Sequence, residues 1–224
     1  MKKIFTLIAA VAFATSASAQ VLSFDTKYDK GAVPGSFTKG DLVLTVTDTD
    51  GKLAVDANTA YFGTSESYVS FDYRLKTGGK SSSSKNNLTL TLPTDGTLKV
   101  YARTGSNGAT DRNIVLTQNE TELVNKILLE SEATTITIED ATSPTGKVEK
   151  NVYPVITVEA KKGDVSITYP VGSINFYAFE LVNAAGVSTI IAPKADGKTY
   201  NLAGVQVSEN AKGLKIKNGK KFVK

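Results

Sequence analysis

The sequence predicts an all-β protein, an antiparallel β-sandwich or jelly roll with a small C-terminal β-hairpin unit. Three observations carry that prediction. From Asp41 to Val182 the apolar residues recur with period two, as in "DLVLTVT", "YVSFDYRL", "NLTLTL", "TLKVYAR", "TTITIE", "VITVEA" and "DVSITY", which is the signature of strands with one covered face. Turn formers separate these runs: "TDG" at 49–51, "PTDG" at 93–96, "GSNG" at 105–108 and "KKGD" at 161–164. No helical repeat intervenes between the strands, as a parallel α/β fold would require.

Taken in order, residues 1–19 read as a secretory leader. Lys2 and Lys3 precede the apolar run "IFTLIAAVAFA", and small residues stand at Ala17 and Ala19, so cleavage is expected before Gln20. That run is too short to span a bilayer, and no other stretch approaches the necessary length. Residues 20–183 are ample for one two-sheet core. Within them "NETELVNKILLE" at 119–130 has some helical spacing, with Leu123 and Ile127 four apart, but reads as irregular chain or strand. "SINFYAFELV" differs from the other runs because both alternating sets are apolar: Ile174, Phe176 and Ala178, then Tyr177, Phe179 and Leu181. Such a strand is expected to be central and covered on both faces. Residues 184–198, with small residues, Gly and Pro193, read as a linker. In 199–224, Asn218-Gly219 is a type I′ hairpin signal that pairs Ile216 with Lys221 and Leu214 with Val223.

The segment "TGGKSSSS" at 77–84 contains the Gly-Lys-Ser tail of a phosphate-gripping loop. The first glycine of that motif would fall at Arg74, and a strand, "NLTLTLP", follows where a helix is needed. A flexible polar loop between two strands explains the same letters. "TDTDG" at 47–51 resembles a calcium loop, yet Val46 and Ala57 occupy two ligand positions, so a hairpin turn at Asp50-Gly51 is the simpler reading. No metal or cofactor is expected from the motifs, although a structural calcium ion elsewhere in a sandwich is compatible with them.

Composition narrows the chemistry. The chain has no His, no Cys and no Trp. Ser-His-Asp and Cys-His nucleophilic machinery is therefore excluded, together with His-containing metal sites and disulfides. No carboxylate pair stands in an environment that would raise one pKa and leave the other low, so the chain is expected not to be an enzyme. A lyase using Tyr, Lys or Arg is a lesser alternative. The net charge of +4 comes from the leader and from six lysines after Tyr200. The main domain is mildly acidic, which argues against nucleic acid as a partner.

There are 23 lysines but three arginines, Arg74, Arg103 and Arg112, all within one stretch of the chain. A guanidinium offers a planar fork that matches a carboxylate bidentately. With Lys76 and Tyr101 these residues form the candidate glycan-binding set. The competing explanation is that each arginine pairs with a neighbouring carboxylate, such as Asp72 or Asp111, to tie strands and loops together.

The run from "YRLKTGGKSSSSKNNLTLTLPTDGTLKVYARTG" to "GDVSITYPVGSINFYAFELV" resembles the β-sandwich modules attached to secreted bacterial pectate lyases and related polysaccharide-degrading proteins. The resemblance covers residues 68–182 and implies a module like a carbohydrate-binding module. The tail "YNLAGVQVSENAKGLKIKNGKKFVK" is similar to the C-terminal units of proteins exported by the type-nine secretion route, although Lys215 replaces a usual aromatic. Together these imply an exported, non-catalytic protein of the periplasm, cell surface or medium. Its expected partner is an extracellular polysaccharide, acidic plant or host material first, with an outer-surface protein as the alternative.

Overall fold

A computed structural model of the chain describes residues 19–139, 142–183, 199–201, 206–208, 214–217 and 220–223. The expected leader and the 184–198 linker fall outside the described residues, except for Ala19. The chain divides at Ala185/Gly186 into two units.

The first unit is two sheets packed face to face, as the alternation predicts. One has eight strands in the order β10 (Thr134–Glu139), β11 (Lys147–Tyr153), β4 (Ala54–Gly63), β5 (Tyr68–Lys76), β14 (Ile174–Asn183), β7 (Gly96–Thr104), β12 (Ile156–Ala160), with β1 (Ala19–Ser23) also on β14. The other has six, in the order β2 (Ser36–Lys39), β3 (Leu42–Val46), β6 (Leu88–Leu92), β13 (Gly163–Thr168), β8 (Asn113–Gln118), β9 (Thr121–Ile127). All pairs are antiparallel except β11 with β4. Between the sheets lies one core in which Leu44, Leu90, Leu116 and Ile167 of the smaller sheet meet Leu75, Leu98, Phe176 and Phe179 of the larger. Each such fully buried side chain contributes about 1.5–3 kcal/mol.

Strand β14 is buried on both faces, and the reason for its double apolarity is visible. A bulge between Phe176 and Ala178 breaks the strict alternation. Phe179 and Leu181 therefore join Ile174 and Phe176 in the main core, while Tyr177 and Ala178 point the other way. This corrects the expected division, which placed Ala178 with Phe176. On that outer side Tyr177, Ala178 and Tyr101 are covered by Phe62, Phe71 and Tyr153 in a second, aromatic cluster. The cover arises because β5 pairs with β14 only at Asn175 and Phe176, after which β1 takes its place along 178–182. The far half of the β4–β5 hairpin lies instead against the outer aromatic side chains.

One turn signal has a different role from the one expected. Asp50-Gly51 does not close a hairpin, because β3 and β4 belong to different sheets. The "PTDG", "GSNG" and "KKGD" segments likewise carry the chain from one sheet to the other. Loop 77–87 is pinned rather than free. Thr77, Ser81, Asn86 and Asn87 are buried; Ser81 accepts from the Tyr169 amide at 2.6 Å, and Thr77 accepts from the Ile174 amide at 3.0 Å. Gly78 sits at φ +64°, and a Cβ there would meet the Lys52 carbonyl at 2.6 Å. This glycine serves close loop packing, not phosphate. Segment 119–130 forms β9 and a single 3-10 turn at Glu130–Glu132, with Asn119 and Glu120 both at positive φ in the hairpin turn.

The second unit has its own four-stranded sheet in the order β16 (Gln206–Val207), β15 (Thr199–Asn201), β17 (Leu214–Lys217), β18 (Lys220–Val223). The predicted pairs Leu214 with Val223 and Ile216 with Lys221 are both present. Two more strands join the expected hairpin.

Two predictions follow from these contacts. A Cβ at Gly96 would fall well inside contact distance of the Val182 carbonyl oxygen. Gly96→Ala should therefore cost about 1–3 kcal/mol in chemical denaturation. The second concerns Asp50, whose carboxylate meets Lys85 at 2.8 Å, Asn86 at 2.8 Å and Lys52 at 3.3 Å. Lys85 and then Asn86 lower its pKa from 3.8 to about 2. The depressed folded pKa means this stabilisation is complete above about pH 4 and disappears as the pH falls towards 2. Asp50→Asn should be less stable than the parent at neutral pH, with the difference closing across that window in acid-denaturation curves.

Candidate functional site

Four of the five predicted site residues come together on the outer face of the eight-stranded sheet. Lys76, Asn175 and Arg103 stand in register on β5, β14 and β7, and alternation places Arg74 and Tyr101 on the same side. Arg112 is elsewhere, just before β8, packed against Gly172 and paired with Asp111 at 2.6 Å.

None of the three arginines is a free fork. Arg74 donates to Asp56 through Nε at 2.7 Å and through a terminal nitrogen at 3.3 Å. Burial alone would lower the Arg74 pKa, but the bond and charge of Asp56 outweigh it and the net shift is upward. Lys76 reaches the same carboxylate at 3.7 Å. Arg103 lies 3.3 Å from Glu130 and stacks 4.7 Å from the centre of the Tyr153 ring. The competing explanation from the sequence thus accounts for all three, with Asp56 in place of Asp72; Asp72 instead accepts from Thr59 at 3.0 Å.

Tyr101 is a buried cluster residue whose hydroxyl donates to Glu180, and Lys99 holds the other oxygen at 3.2 Å. Burial first, then Glu180, pushes its pKa up. Tyr177 is likewise raised by burial, with Arg103 and Arg74 pulling back, and its hydroxyl donates to Asn58. Tyrosines in these settings stay protonated and act as hydrogen-bond donors.

Above this layer is a cleft of about 240 Å3, lined by Thr59, Tyr61, Arg103, Glu149, Lys150, Asn151 and Tyr153. Three strands supply its walls. The backbone of β4 at 59–61, just after its bulge between Ala57 and Ala60, forms one wall, and the parallel pairing of β11 with β4 brings Asn151 and Tyr153 alongside. Its base is the Arg103–Tyr153–Glu130 clasp, in which the Tyr153 hydroxyl donates to Glu130 at 2.8 Å. Burial, then Glu130, moves the Tyr153 pKa up to about 12. Alternation along β11 puts Glu149 and Asn151 on the same face as Tyr153, so a carboxylate and an amide stand beside the Arg103 and Tyr153 side chains in this cleft. Reasoning from sequence missed Thr59, Tyr61 and Asn151, since each looks like an ordinary strand residue; the break in alternation at "DANTAYF" was the available signal.

No protein-family model and no curated protein matches the chain, so the resemblances to pectate-lyase modules and type-nine units stand on their residues alone. Among solved structures, two variants of a GH87 α-1,3-glucanase catalytic domain, each in complex with nigerose, are similar at a TM-score of 0.32 and 8% identity. The alignment covers 64% of this chain and 28% of theirs, so this chain spans under a third of their length. A likeness this slight says nothing of what the chain binds.

Among the described residues no helix is long and apolar enough to cross a membrane, a statement that leaves β-barrels aside. Nor does any group of three or more Asp or Glu there converge as a metal would require.

The clasp can be tested directly. Tyr153→Phe keeps the ring under Arg103 but removes the donor to a charged acceptor, and should cost about 1.5–3 kcal/mol at neutral pH. Urea unfolding measures it.

Proposed function

We propose that the chain is an exported, non-catalytic glycan-binding protein that holds a polysaccharide on the outer face of its eight-stranded sheet. The observation that carries this reading is the cleft between β4, β11 and β7, where the Asn151 amide and the Glu149 carboxylate stand beside Arg103 and the Tyr153 ring on a strand platform. Sugars present alternating hydroxyl rims and apolar C–H faces, and a site for them needs this mixture.

The charge balance refines the ligand. Acidic plant or host polysaccharide was the first expectation, on the strength of the arginines. Arg74 and Arg103 already hold Asp56 and Glu130, and the cleft adds one Lys and one Glu. An uncharged polysaccharide is the better fit.

A second reading, a surface module with a protein partner, has its own observation. Over residues 68–73, β5 has β4 on one side and, among the described residues, no strand on the other, with Tyr68 43% and Val69 46% exposed. An open edge of this kind can accept an added strand.

Affinity electrophoresis separates the two. The full chain should be retarded in gels containing hydroxyethylcellulose or xyloglucan, and the double variant Glu149→Ala/Asn151→Ala should migrate freely. Retardation only by polygalacturonate or hyaluronate would reverse the charge assignment. Free migration in every gel would remove the glycan reading, and a rise in ultraviolet absorbance on uronate polymers would replace it with a lyase.

A further inference from the structure

The segment "GSNG" at 105–108 leads the chain from β7 towards β8 and holds chemistry that the cleft does not use. Asn-Gly occurs in the chain at 107–108 and at 218–219; the second pair lies outside the described residues. An asparagine followed by glycine can react with its own backbone, because no Cβ on the glycine shields the amide nitrogen. Reaction then depends on exposure, on an amide that no acceptor holds, and on space for a succinimide ring.

Asn107-Gly108 meets each condition. Both residues are exposed, in the middle of a turn closed by the Ala109 amide donating to the Ser106 carbonyl at 3.2 Å. The central amide of such a turn takes no part in the closing bond, and the Gly108 N–H has no acceptor among the described residues. Gly108 sits at φ +76°, and a Cβ built there would meet nothing within 4 Å. The Asn107 side chain is lightly held: its Oδ1 accepts from Arg103 Nη2 at 3.5 Å, at the outer limit of a hydrogen bond. By contrast, Asn86 and Asn87 are buried, and the exposed Asn151 precedes Val152.

Arg103 gives the reaction a consequence. Its Nη2 also lies 3.3 Å from Glu130, so one nitrogen faces both side chains. A carboxylate at 107 would be a second acidic partner for a guanidinium that lines the cleft.

We propose that Asn107 is a self-modification site, converting to aspartate and isoaspartate with water as the co-reactant. The deprotonated Gly108 nitrogen attacks Asn107 Cγ. A Cγ–N bond forms, the Cγ–Nδ2 bond breaks, and Nδ2 leaves as ammonia with the proton that the Gly108 amide gave up. Water then opens the ring. Breaking the new Cγ–N bond leaves aspartate, and breaking the original peptide bond leaves isoaspartate. The net change is amide and water to carboxylic acid and ammonia, with nothing oxidised or reduced. The site stands whether or not the chain binds a glycan.

The experiment is incubation of the full chain in mildly alkaline and mildly acidic buffers, followed by tryptic peptide mapping. Cleavage after Arg103 and Arg112 isolates "TGSNGATDR", in which Asn107 is the one asparagine, so acid gained there does not come from Asn218. The peptide should convert faster after alkaline incubation, with release of ammonia, because more of the Gly108 amide is deprotonated. Gly108→Ala, with a melting curve like the parent's, should slow conversion about tenfold, the equivalent of about 1.4 kcal/mol in barrier. Asn107→Asp should melt above the parent at neutral pH and lose that gain as the new carboxylate protonates in acid. No conversion of the peptide after alkaline incubation would overturn the site. Equal rates in the two buffers would overturn the backbone route whether or not Gly108→Ala folds, as would conversion of folded Gly108→Ala at the parental rate. An Asn107→Asp melting curve that matches the parent's would overturn the pairing with Arg103.

Discussion

The architecture depends on one strand that has to be dry on both sides. β14 sends Ile174, Phe176, Phe179 and Leu181 into the sandwich, and Tyr177 and Ala178 into a second cluster behind it. A two-sheet sandwich covers only one of these faces. The other is covered by the β4–β5 hairpin, which can lie there because β1 displaces β5 from β14 beyond Phe176. Strand competition at β14 thus converts a sheet face that would be flat into a platform with a raised hairpin. The cleft beside the hairpin follows from that step.

The charges on this face act as ties. Asp56 joins β4 to Arg74 and Lys76 of β5, Glu180 of β14 holds Lys99 and Tyr101 of β7, and Glu130 draws Arg103 of β7 to Tyr153 of β11. Each tie spans neighbouring or converging strands. A buried arginine without a partner would be costly, whereas Arg103 keeps an ion pair with Glu130 and the face of the Tyr153 ring, although its Nε has no hydrogen-bond acceptor. The scarcity of arginine in a lysine-rich chain is consistent with such use. Lysine could not fork onto Asp56 or stack flat on Tyr153.

The sandwich was legible in the sequence because period-two alternation reports burial directly: "NLTLTL" alternates buried and half-buried positions along β6 as the letters suggest. The two-sided burial of β14 was legible for the same reason, and the register of the last hairpin followed from Asn218-Gly219. Sheet membership was not. A turn such as "KKGD" looks the same whether the next strand pairs with the last one or crosses to the opposite sheet, since that choice is made by partners distant in sequence. The bulges at Tyr177 and at Asn58–Thr59 were hidden too, and they decide which side chains face outward. Four of the five predicted site residues share one face of the larger sheet, and its arginines are held by carboxylates that the sequence does not place beside them. Arg74 and Arg103 were chosen for their chemistry, and the carboxylates that occupy them, Asp56 and Glu130, come from positions 18 and 27 residues away.

That occupancy bears on how recognition would work here. A binding surface made of free lysines and arginines has to order long side chains each time a ligand arrives, at about 0.5–1.5 kcal/mol for each one immobilised. On this face the long cations Arg74 and Arg103 are already fixed by Asp56, Glu130 and the Tyr153 ring, and the exposed groups left to meet a ligand include the short amide of Asn151. The side chains that look most like binding residues in the sequence serve to hold still the ones that would bind.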